Sequence, residues 1–229
     1  MADRITESGH VPSATGQPRG SMKERAYEEI KQQLMSGDYL PGSFLSERAL
    51  AERLGMSKTP VKGALERLEG EGFITVSPQQ GIVVREMPVE EITDQYEIRT
   101  ALETFVLRTV AGRLTAVQVE QIQKNLADQE ATRGRAAVER AVALDAGFHV
   151  LFAEFLGNRE ILRVTRHLRD RMQRIITRVF LANPSRTDTS IDEHTAIAAA
   201  VIDGNGPRAA RLIEDHLERG KSLILSPRS

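Results

Sequence analysis

Residues 45–84, "LSERALAERLGMSKTPVKGALERLEGEGFITVSPQQGIVV", decide the fold of the N-terminal part of the chain. Ser46 is suited to N-cap a short helix that Gly55 ends. Ser57 or Thr59 is suited to begin the next helix, whose buried face is apolar. The short runs "FITV" and "GIVV", separated by "SPQQ", then predict a β-hairpin.

Two short helices joined by "GMS" and followed by a hairpin are typical of a winged helix-turn-helix. In that fold the second helix enters the major groove of DNA and the wing touches the neighbouring backbone. Hydroxyl, ammonium and guanidinium groups suit phosphates and base edges. The predicted DNA-binding residues are Arg48, Ser57, Lys58, Thr59, Lys62, Gln80 and Gly81.

Charge alone does not establish DNA binding. Residues 21–86 contain nine Lys or Arg residues against ten acidic ones, so any positive patch must be local. The alternative, on spacing and charge alone, is a generic small domain with a few solvated lysines.

The remaining sequence predicts three further segments. Residues 1–20 are small, polar and Pro/Gly-bearing, which is typical of a disordered arm. The DNA-binding domain therefore spans 21–86, and "MPVEEI", residues 87–92, is predicted to be a linker because of its proline. The helical period predicts six helices, near 89–112, 115–133, 135–156, 158–180, 187–203 and 206–224, and residues 93–225 are predicted to form a helical domain. The fold class is mainly α.

Bulk composition excludes several classes of protein. No run of the 229 residues is apolar enough to be a membrane helix or a secretory signal. The absence of cysteine excludes disulfides and thiolate metal ligands, and it suits a reducing cytoplasm. The net charge of −1 gives no whole-chain indication of nucleic-acid binding.

Four polar residues lie on apolar helix stripes in the C-terminal part. Asp145 and His149 are four residues apart in "AVALDAGFHVLFA", so on a helix they share one face. His194 and His216 also lie on apolar faces, and one acid with three imidazoles converging in a bundle would form a first-row metal site. The alternative is that these are core histidines with ordinary hydrogen-bond partners.

The N-terminal motifs "LPG", "LSERALAERLG", "SKTPV", "ALERLEGEG" and "GIVV" closely resemble the GntR family of bacterial transcription regulators. The resemblance places the positions of Arg48, Ser57, Lys58, Thr59, Lys62 and Gly81 at the DNA surface. Lys58 and Lys62 stand where arginines are usual, and Gly63 replaces a usual glutamate. A lysine cannot make the bidentate contact of an arginine to guanine, so a changed operator is expected.

Three C-terminal motifs, "DAGFHVLFAEFLGNREI", "EHTAIAAAVIDGN" and "ARLIEDHL", resemble the FCD effector domain of the FadR branch of that family. The resemblance implies an antiparallel helical bundle that dimerises. It also implies a divalent metal on Asp145, His149, His194 and His216, and a small carboxylate effector. Zinc is favoured, with nickel, iron or manganese as alternatives.

Two further residues are predicted to bind the effector. Arg99 falls on an inward stripe and could be the counter-charge of a carboxylate, with a salt bridge to Glu103 as the alternative. Asn158 could line the pocket, with N-capping of the following helix as the alternative. The charges of the run "RHLRDRMQR", residues 166–174, are predicted to form a solvated face, with an anion site as the alternative.

These observations predict a cytoplasmic, ligand-responsive transcription regulator that acts as a homodimer on a palindromic double-stranded DNA operator. One alternative is a metal sensor in which the ion itself is the signal. Another is a metal-dependent hydrolase bundle fused to a DNA-binding module, although no general base is evident beside the four ligands.

Overall fold

The computed structural model describes residues 21–77, 81–134 and 137–226, so the predicted arm at 1–20 lies outside it. The described residues are mainly helical, with one small sheet, which confirms the predicted fold class. The N-terminal elements are α1 (Met22–Ser36), β1 (Phe44–Leu45), α2 (Glu47–Leu54), α3 (Lys58–Gly70), β2 (Ile74–Ser77) and β3 (Gly81–Val84). The C-terminal elements are α4 (Val89–Val110), α5 (Ala116–Glu130), α6 (Val138–Leu156), α7 (Arg159–Ala182), α8 (Pro184–Ile202) and α9 (Gly206–Leu225).

The boundaries of the DNA-binding helices follow from their capping residues. Ser46 Oγ accepts a hydrogen bond from the backbone N–H of Ala49, 3.4 Å away, and satisfies one free donor of α2. Gly55 ends α2 in the left-handed conformation, with φ of 62°, where a side chain would be strained. The short turn after Gly55 brings α3 against α1 and α2 over one shared apolar core.

The wing contains one more strand than the sequence predicts. In addition to the antiparallel hairpin of β2 and β3, the two-residue strand β1 pairs with β3, giving the order β1-β3-β2. Phe44 lies opposite Val83 and Leu45 lies opposite Ile82. A two-residue strand has no detectable period, so only its partner could identify it.

The sequence predicts both a linker over 87–92 and a helix from about residue 89, and over residues 89–92 the structure agrees with the helix. Pro88 is the N-cap of α4, and its carbonyl accepts a hydrogen bond from Ile92, so residues 89–92 form the first turn of that helix. Glu90 and Glu91 lie at the positive end of the helix dipole and favour this start. Only residues 85–88 separate β3 from α4.

The six C-terminal helices pack into one bundle. The main pairs are α4 with α9, α6 with α7, and α8 with α9, and their shared core contains the fully buried Phe148, Met172 and Ile197. Three residues join α8 to α9, so these two neighbours run antiparallel. No helix within the described ranges is long and apolar enough to cross a membrane.

The two domains meet at α7. Lys31 of α1 forms an ion pair with Asp170, and Arg171 forms one with Glu91 at the start of α4. Arg174 also donates a hydrogen bond to the Arg85 carbonyl, 3.0 Å away. One helix of the bundle therefore contacts both α1 and the connection between the domains.

Candidate metal centre

The structure brings the four predicted metal ligands together inside the bundle. Asp145 and His149 come from α6, His194 from α8 and His216 from α9. One ligand atom of each residue lies within 4.8 Å of all the others, and all four side chains are buried. Nε2 of His194 is 3.7 Å from Asp145 Oδ1, close to the separation of roughly 3–4 Å between two ligands of one cation.

The three imidazole rings form a triangle. Their centroids are separated by 5.1 Å between His149 and His194, 5.2 Å between His149 and His216, and 4.8 Å between His194 and His216. Phe148 stacks on His194 at 4.0 Å and closes that side with hydrocarbon. The rings therefore face one another and leave little freedom to turn away.

Each histidine has a partner on its Nδ1 atom. Nδ1 of His149 lies 2.5 Å from a Glu103 oxygen on α4, and Nδ1 of His194 lies 2.8 Å from the Gln129 side-chain oxygen on α5. Nδ1 of His216 lies 2.6 Å from Glu193 on α8. Such partners fix the ring orientation and the tautomer of metal-binding histidines, because they hold the Nδ1 proton and leave Nε2 as the acceptor.

The Nε2 atoms, on the other side of the rings from Nδ1, show whether a cation fits between these side chains. Among the described residues, Nε2 of His149 and Nε2 of His194 are buried and have no hydrogen-bond partner. An unpaired buried acceptor costs about 1–3 kcal/mol, so two of them a few ångströms apart require an explanation. A divalent metal ion supplies one, because imidazole nitrogen and carboxylate oxygen are ligands that zinc and its neighbours accept.

The protonation states also fit a metal. Burial lowers the pKa of His149 to about 4, even though Glu103 opposes the shift. Burial lowers the pKa values of His194 and His216 as well. Neutral imidazoles at pH 7 need no proton release before they bind a cation.

Asp145 is held by residues that the sequence analysis did not pair with it. Arg169 of α7 forms an ion pair with its carboxylate, and Ser190 Oγ donates a hydrogen bond to Oδ1 at 3.3 Å. Burial alone would raise the pKa of Asp145, but Arg169 and the histidines hold it well below its usual range. The prediction that residues 166–174 form a solvated face is therefore wrong at Arg169, which is 4% exposed.

A small cavity of about 30 Å³ adjoins the cluster. Arg99, Arg169 and Arg186 line it together with Asp145 and His216, and all three arginines are buried. Within the described residues, Arg99 Nη2 and Arg169 Nε have no hydrogen-bond partner, whereas Arg186 Nη1 lies 2.9 Å from a Glu193 oxygen in an ion pair. The cavity thus offers two unused N–H donors.

Arg99 makes the predicted salt bridge with Glu103 and also has the predicted inward position. Its Nε donates a hydrogen bond to Glu103 Oε1 at 2.9 Å, which is the predicted salt bridge. The side chain also points inward and lines the cavity. Glu103 therefore joins Arg99 to His149, since its other oxygen contacts the imidazole.

Asn158 lies away from the cavity. Its side-chain oxygen accepts hydrogen bonds from the backbone N–H groups of Glu160 and Ile161 at 3.0 and 3.1 Å, so it N-caps α7. The side chain is exposed and is not among the residues that line the cavity. We therefore correct the effector-binding prediction for Asn158, because its oxygen is already used at the helix start.

The predicted DNA-binding residues form an exposed group on α2, α3 and the wing. The Ser57 hydroxyl, at the N-cap of α3, makes no capping hydrogen bond and remains available to a phosphate. Gly81 has φ of 80°, and open space surrounds the position where a Cβ would stand. The exposed members are Arg48, Ser57, Lys58, Thr59, Lys62 and Gly81, whereas Gln80 lies outside the described residues.

Sequence reasoning missed the residues that support the four ligands. They are Glu103, Gln129, Arg169, Arg186, Ser190 and Glu193. One signal was available for Gln129, because it lies seven residues after the fully buried Ile122 and therefore on the inward stripe of α5. No comparable signal pairs Arg169 with Asp145, because that contact depends on how α6 and α7 pack.

Comparison with known proteins agrees with this architecture. Residues 22–84 match the model of bacterial regulatory proteins of the gntR family, and residues 94–219 match the FCD domain. The Nta operon transcriptional regulator of Aminobacter aminovorans is 27% identical over 191 residues, covering 83% of this chain and 89% of that protein. The HTH-type transcriptional regulator YdhC of Bacillus subtilis (strain 168) is 24% identical over 193 residues, covering 83% and 85%.

Among solved structures, E. coli McbR/YncC superimposes with a TM-score of 0.79 at 22% sequence identity, covering 90% of this chain and 97% of that one. The two family matches, together with relatives that are transcription regulators, identify this chain as a DNA-binding transcription regulator. The chain belongs to the GntR family and carries an FCD domain in its C-terminal part.

Proposed function

We propose that this regulator binds a divalent metal ion through Asp145, His149, His194 and His216, and that a small carboxylate binding beside the metal controls operator affinity. The observation that carries the proposal is the pair of buried Nε2 atoms without partners, on rings whose Nδ1 atoms are all engaged. When bound, the metal would supply a Lewis-acidic position for a carboxylate oxygen. Zinc is the favoured ion, with nickel, iron or manganese as alternatives.

The charges around the cavity support an anionic effector. Among the described residues, the buried Arg99, Arg169 and Arg186 face the carboxylates of Glu103, Asp145 and Glu193, and the half-exposed Arg219 also pairs with Glu193. The buried charges balance before Arg219 is counted, so a divalent cation makes the centre net positive. A buried charge needs a counter-charge, and a carboxylate effector provides one.

The residues of the chain would then have separate roles. The carboxylates and Gln129 orient the imidazoles, while Arg99, with its free Nη2, offers a donor to the effector carboxylate. Arg169 holds Asp145 and belongs to α7, the helix that contacts α1. An effector that prefers one position of α7 would shift operator affinity, since coupling requires differential binding to two states.

The proposal also includes a homodimer, formed through an exposed apolar face of α4. Ile98 and Phe105 of α4 are 44% and 53% exposed and lie seven residues apart on one face of that helix. Paired apolar faces of this kind would join two bundles into a homodimer, which would place two α3 helices on a palindromic operator. Double-stranded bacterial DNA lies in the cytoplasm, where we expect the protein to act.

The small cavity favours a second candidate, the metal sensor. The cavity of about 30 Å³ beside the four candidate ligands has room for water that would complete the coordination of an ion without any organic ligand. In that case metal loading alone would change operator affinity.

Metal analysis tests the proposal. The protein purified without chelator should contain about one divalent ion per chain, and His194→Ala should lose most of it. His167→Ala, on α7 and outside the cluster, is the matched control and should retain the metal. Operator affinity is then measured with and without metal and carboxylate. A His194→Ala protein with full metal content would refute this ligand set.

A further inference from the structure

The cavity beside the cluster has two chemically different ends. One end carries the side chains of Arg99, Arg169 and Arg186, and Arg99 Nη2 and Arg169 Nε have no hydrogen-bond partner among the described residues. The opposite end is formed by hydrocarbon from Ile176, Val179, Phe180, Leu217 and Ile224. A ligand that satisfies both ends needs a charged head and an apolar body.

An outer groove of about 1070 Å³ lies on the other side of two of these apolar residues. Val179 of α7 and Ile224 of α9 line the inner cavity and the groove alike. Both side chains are only partly buried, and together they form the part of the wall that the two spaces share. The groove is lined by the apolar Met87, Val89, Leu181 and Leu223 and also by the polar Glu86, Arg178, Asn183 and Ser226.

The size of the inner cavity decides where a longer ligand would lie. About 30 Å³ accommodates the carboxylate end of an organic acid but not several methylene groups as well. Because the polar end is closed by the buried ion pairs of the cluster, the apolar wall is the side on which additional carbon atoms gain burial rather than lose it.

We infer that the effector is an amphiphilic monocarboxylate, whose head binds at the arginine and metal end and whose apolar tail passes between Val179 and Ile224 into the outer groove. The inference rests on the proposed function, since it assigns the class of ligand to the same site. It selects fatty or aryl-alkyl acids over hydroxy acids and dicarboxylates, whose second polar group would lie against hydrocarbon.

The outer groove also places the tail near the connection between the domains. Glu86, Met87 and Val89 belong to the segment between β3 and α4 and to the first turn of α4, and all three line the groove. A tail of sufficient length therefore contacts the segment that leads to the DNA-binding domain. Tail length, and not only the presence of a carboxylate, becomes a determinant of the response.

Calorimetric titration of the zinc-loaded, full-length protein tests the inference. The probes are acetate, hexanoate, decanoate and succinate, all kept below micelle-forming concentrations. Affinity should rise by about fourfold for each methylene that becomes buried, so decanoate should bind more tightly than hexanoate and hexanoate more tightly than acetate. Succinate should bind more weakly than hexanoate.

Two variants locate the tail. Ile224→Asn should weaken decanoate binding at least tenfold and leave acetate binding within twofold, and the milder Val179→Thr should act in the same direction if Ile224→Asn does not fold. Ile202→Asn is the matched control, because Ile202 is 38% exposed at the end of α8 and lines neither space. It should bind all four probes as the wild type does.

The experiment distinguishes a failure of the amphiphilic-effector inference from a failure of carboxylate sensing itself. Equal affinity for acetate and decanoate, or an equal loss of both in Ile224→Asn, would overturn the amphiphilic effector and leave carboxylate sensing intact. If none of the four acids binds the metal-loaded protein, carboxylate sensing itself is wrong, and the inference falls with it.

Discussion

The side-chain oxygen of Gln129 lies 2.8 Å from Nδ1 of His194, so a neutral amide on α5 holds a fully buried imidazole on α8. Asn125, one turn earlier on α5, accepts a hydrogen bond from the Gln129 amide nitrogen at 2.6 Å and fixes the orientation of that amide. His194 is therefore oriented by a relay that carries no net charge. Replacing Gln129 therefore tests how much the orientation of the His194 ring matters, without leaving an unpaired charge in the core.

Gln129→Leu should lower metal affinity by about 10–100-fold, the usual effect of removing a partner that orients a metal-binding histidine. The leucine preserves volume, so the fold should be retained. Competition with a chromophoric chelator measures the affinity. Gln123→Leu, at an exposed position of the same helix, should bind metal as the wild type does. Unchanged affinity in Gln129→Leu would show that His194 needs no support or is not a ligand.

Acid should destabilise the metal-free protein before its carboxylates titrate. The pKa of His149 is lowered by burial to about 4 in the folded chain, whereas an unfolded histidine titrates near 6.5. Between these values the unfolded state binds a proton that the folded state does not. The unfolding free energy therefore falls as the pH falls, by up to about 1.4 kcal/mol per pH unit for this histidine.

Urea unfolding of the chelator-treated protein from pH 6.5 to pH 5 measures this dependence. Glu103 and Asp145 have lowered pKa values, so their contribution is lost only as the pH approaches the unfolded values near 4. His149→Gln should reduce the slope by up to one proton. An identical slope in wild type and variant would show that His149 does not titrate in this window.

Lys62 is exposed on α3, the helix that the fold directs to the major groove. If its ammonium meets a phosphate, Lys62→Ala should weaken binding to an operator selected from random duplexes. The slope of log affinity against log salt should fall by about one unit. Lys124→Ala, exposed on α5, should leave the slope unchanged. A normal slope in Lys62→Ala would place this residue outside the interface.

Gly63 lies inside α3, where a glycine lowers the stability of the helix, and the structure shows what a side chain at this position would contact. A Cβ at this position would come within 3.0 Å of the Cδ and Cε atoms of Lys23, whose side chain is exposed and able to move. Gly63→Ala should therefore raise the unfolding free energy by about 0.5–1 kcal/mol, because alanine costs less backbone entropy in a helix.

The matched variant at Gly55 should have the opposite effect. Gly55→Ala forces a side chain into the left-handed conformation at φ of 62° and should cost about 1–2 kcal/mol. Thermal unfolding of the two full-length variants measures both changes. A destabilised Gly63→Ala protein would mean that the lysine stem cannot give way.

The helices and the inward positions of the four candidate ligands could be predicted because the helical period is a local signal, and the resemblance to FCD domains grouped the four into one site. Asp145 and His149 share a face through the helical period, and Ser46 and Gly55 mark helix ends by their own chemistry. The partners of the ligands could not be predicted, because each lies on another helix and its position depends on packing. Arg169 shows this, since it lies in the charged run 166–174 and its ion pair with Asp145 depends on the packing of α6 against α7.

The ion pair of Lys31 with Asp170 gives a direct test of communication between the domains. Asp170 follows Arg169, which binds Asp145, and its own partner lies on α1 of the DNA-binding domain. A displacement of α7 at the metal centre would therefore move Asp170 and change its ion pair with Lys31. The Tyr27 hydroxyl, 2.9 Å from the Lys31 ammonium, holds the lysine in place for this contact.

Asp170→Asn should leave metal affinity unchanged and reduce the effect of metal and carboxylate on operator affinity. Couplings of this kind are typically about 5–150-fold, and the ratio should approach one in the variant. Fluorescence anisotropy with a labelled operator, with and without metal, measures the ratio. Glu160→Gln, which removes a surface ion pair with Arg163 on the same helix, should respond as the wild type does. A full response in Asp170→Asn would show that the signal does not cross this ion pair.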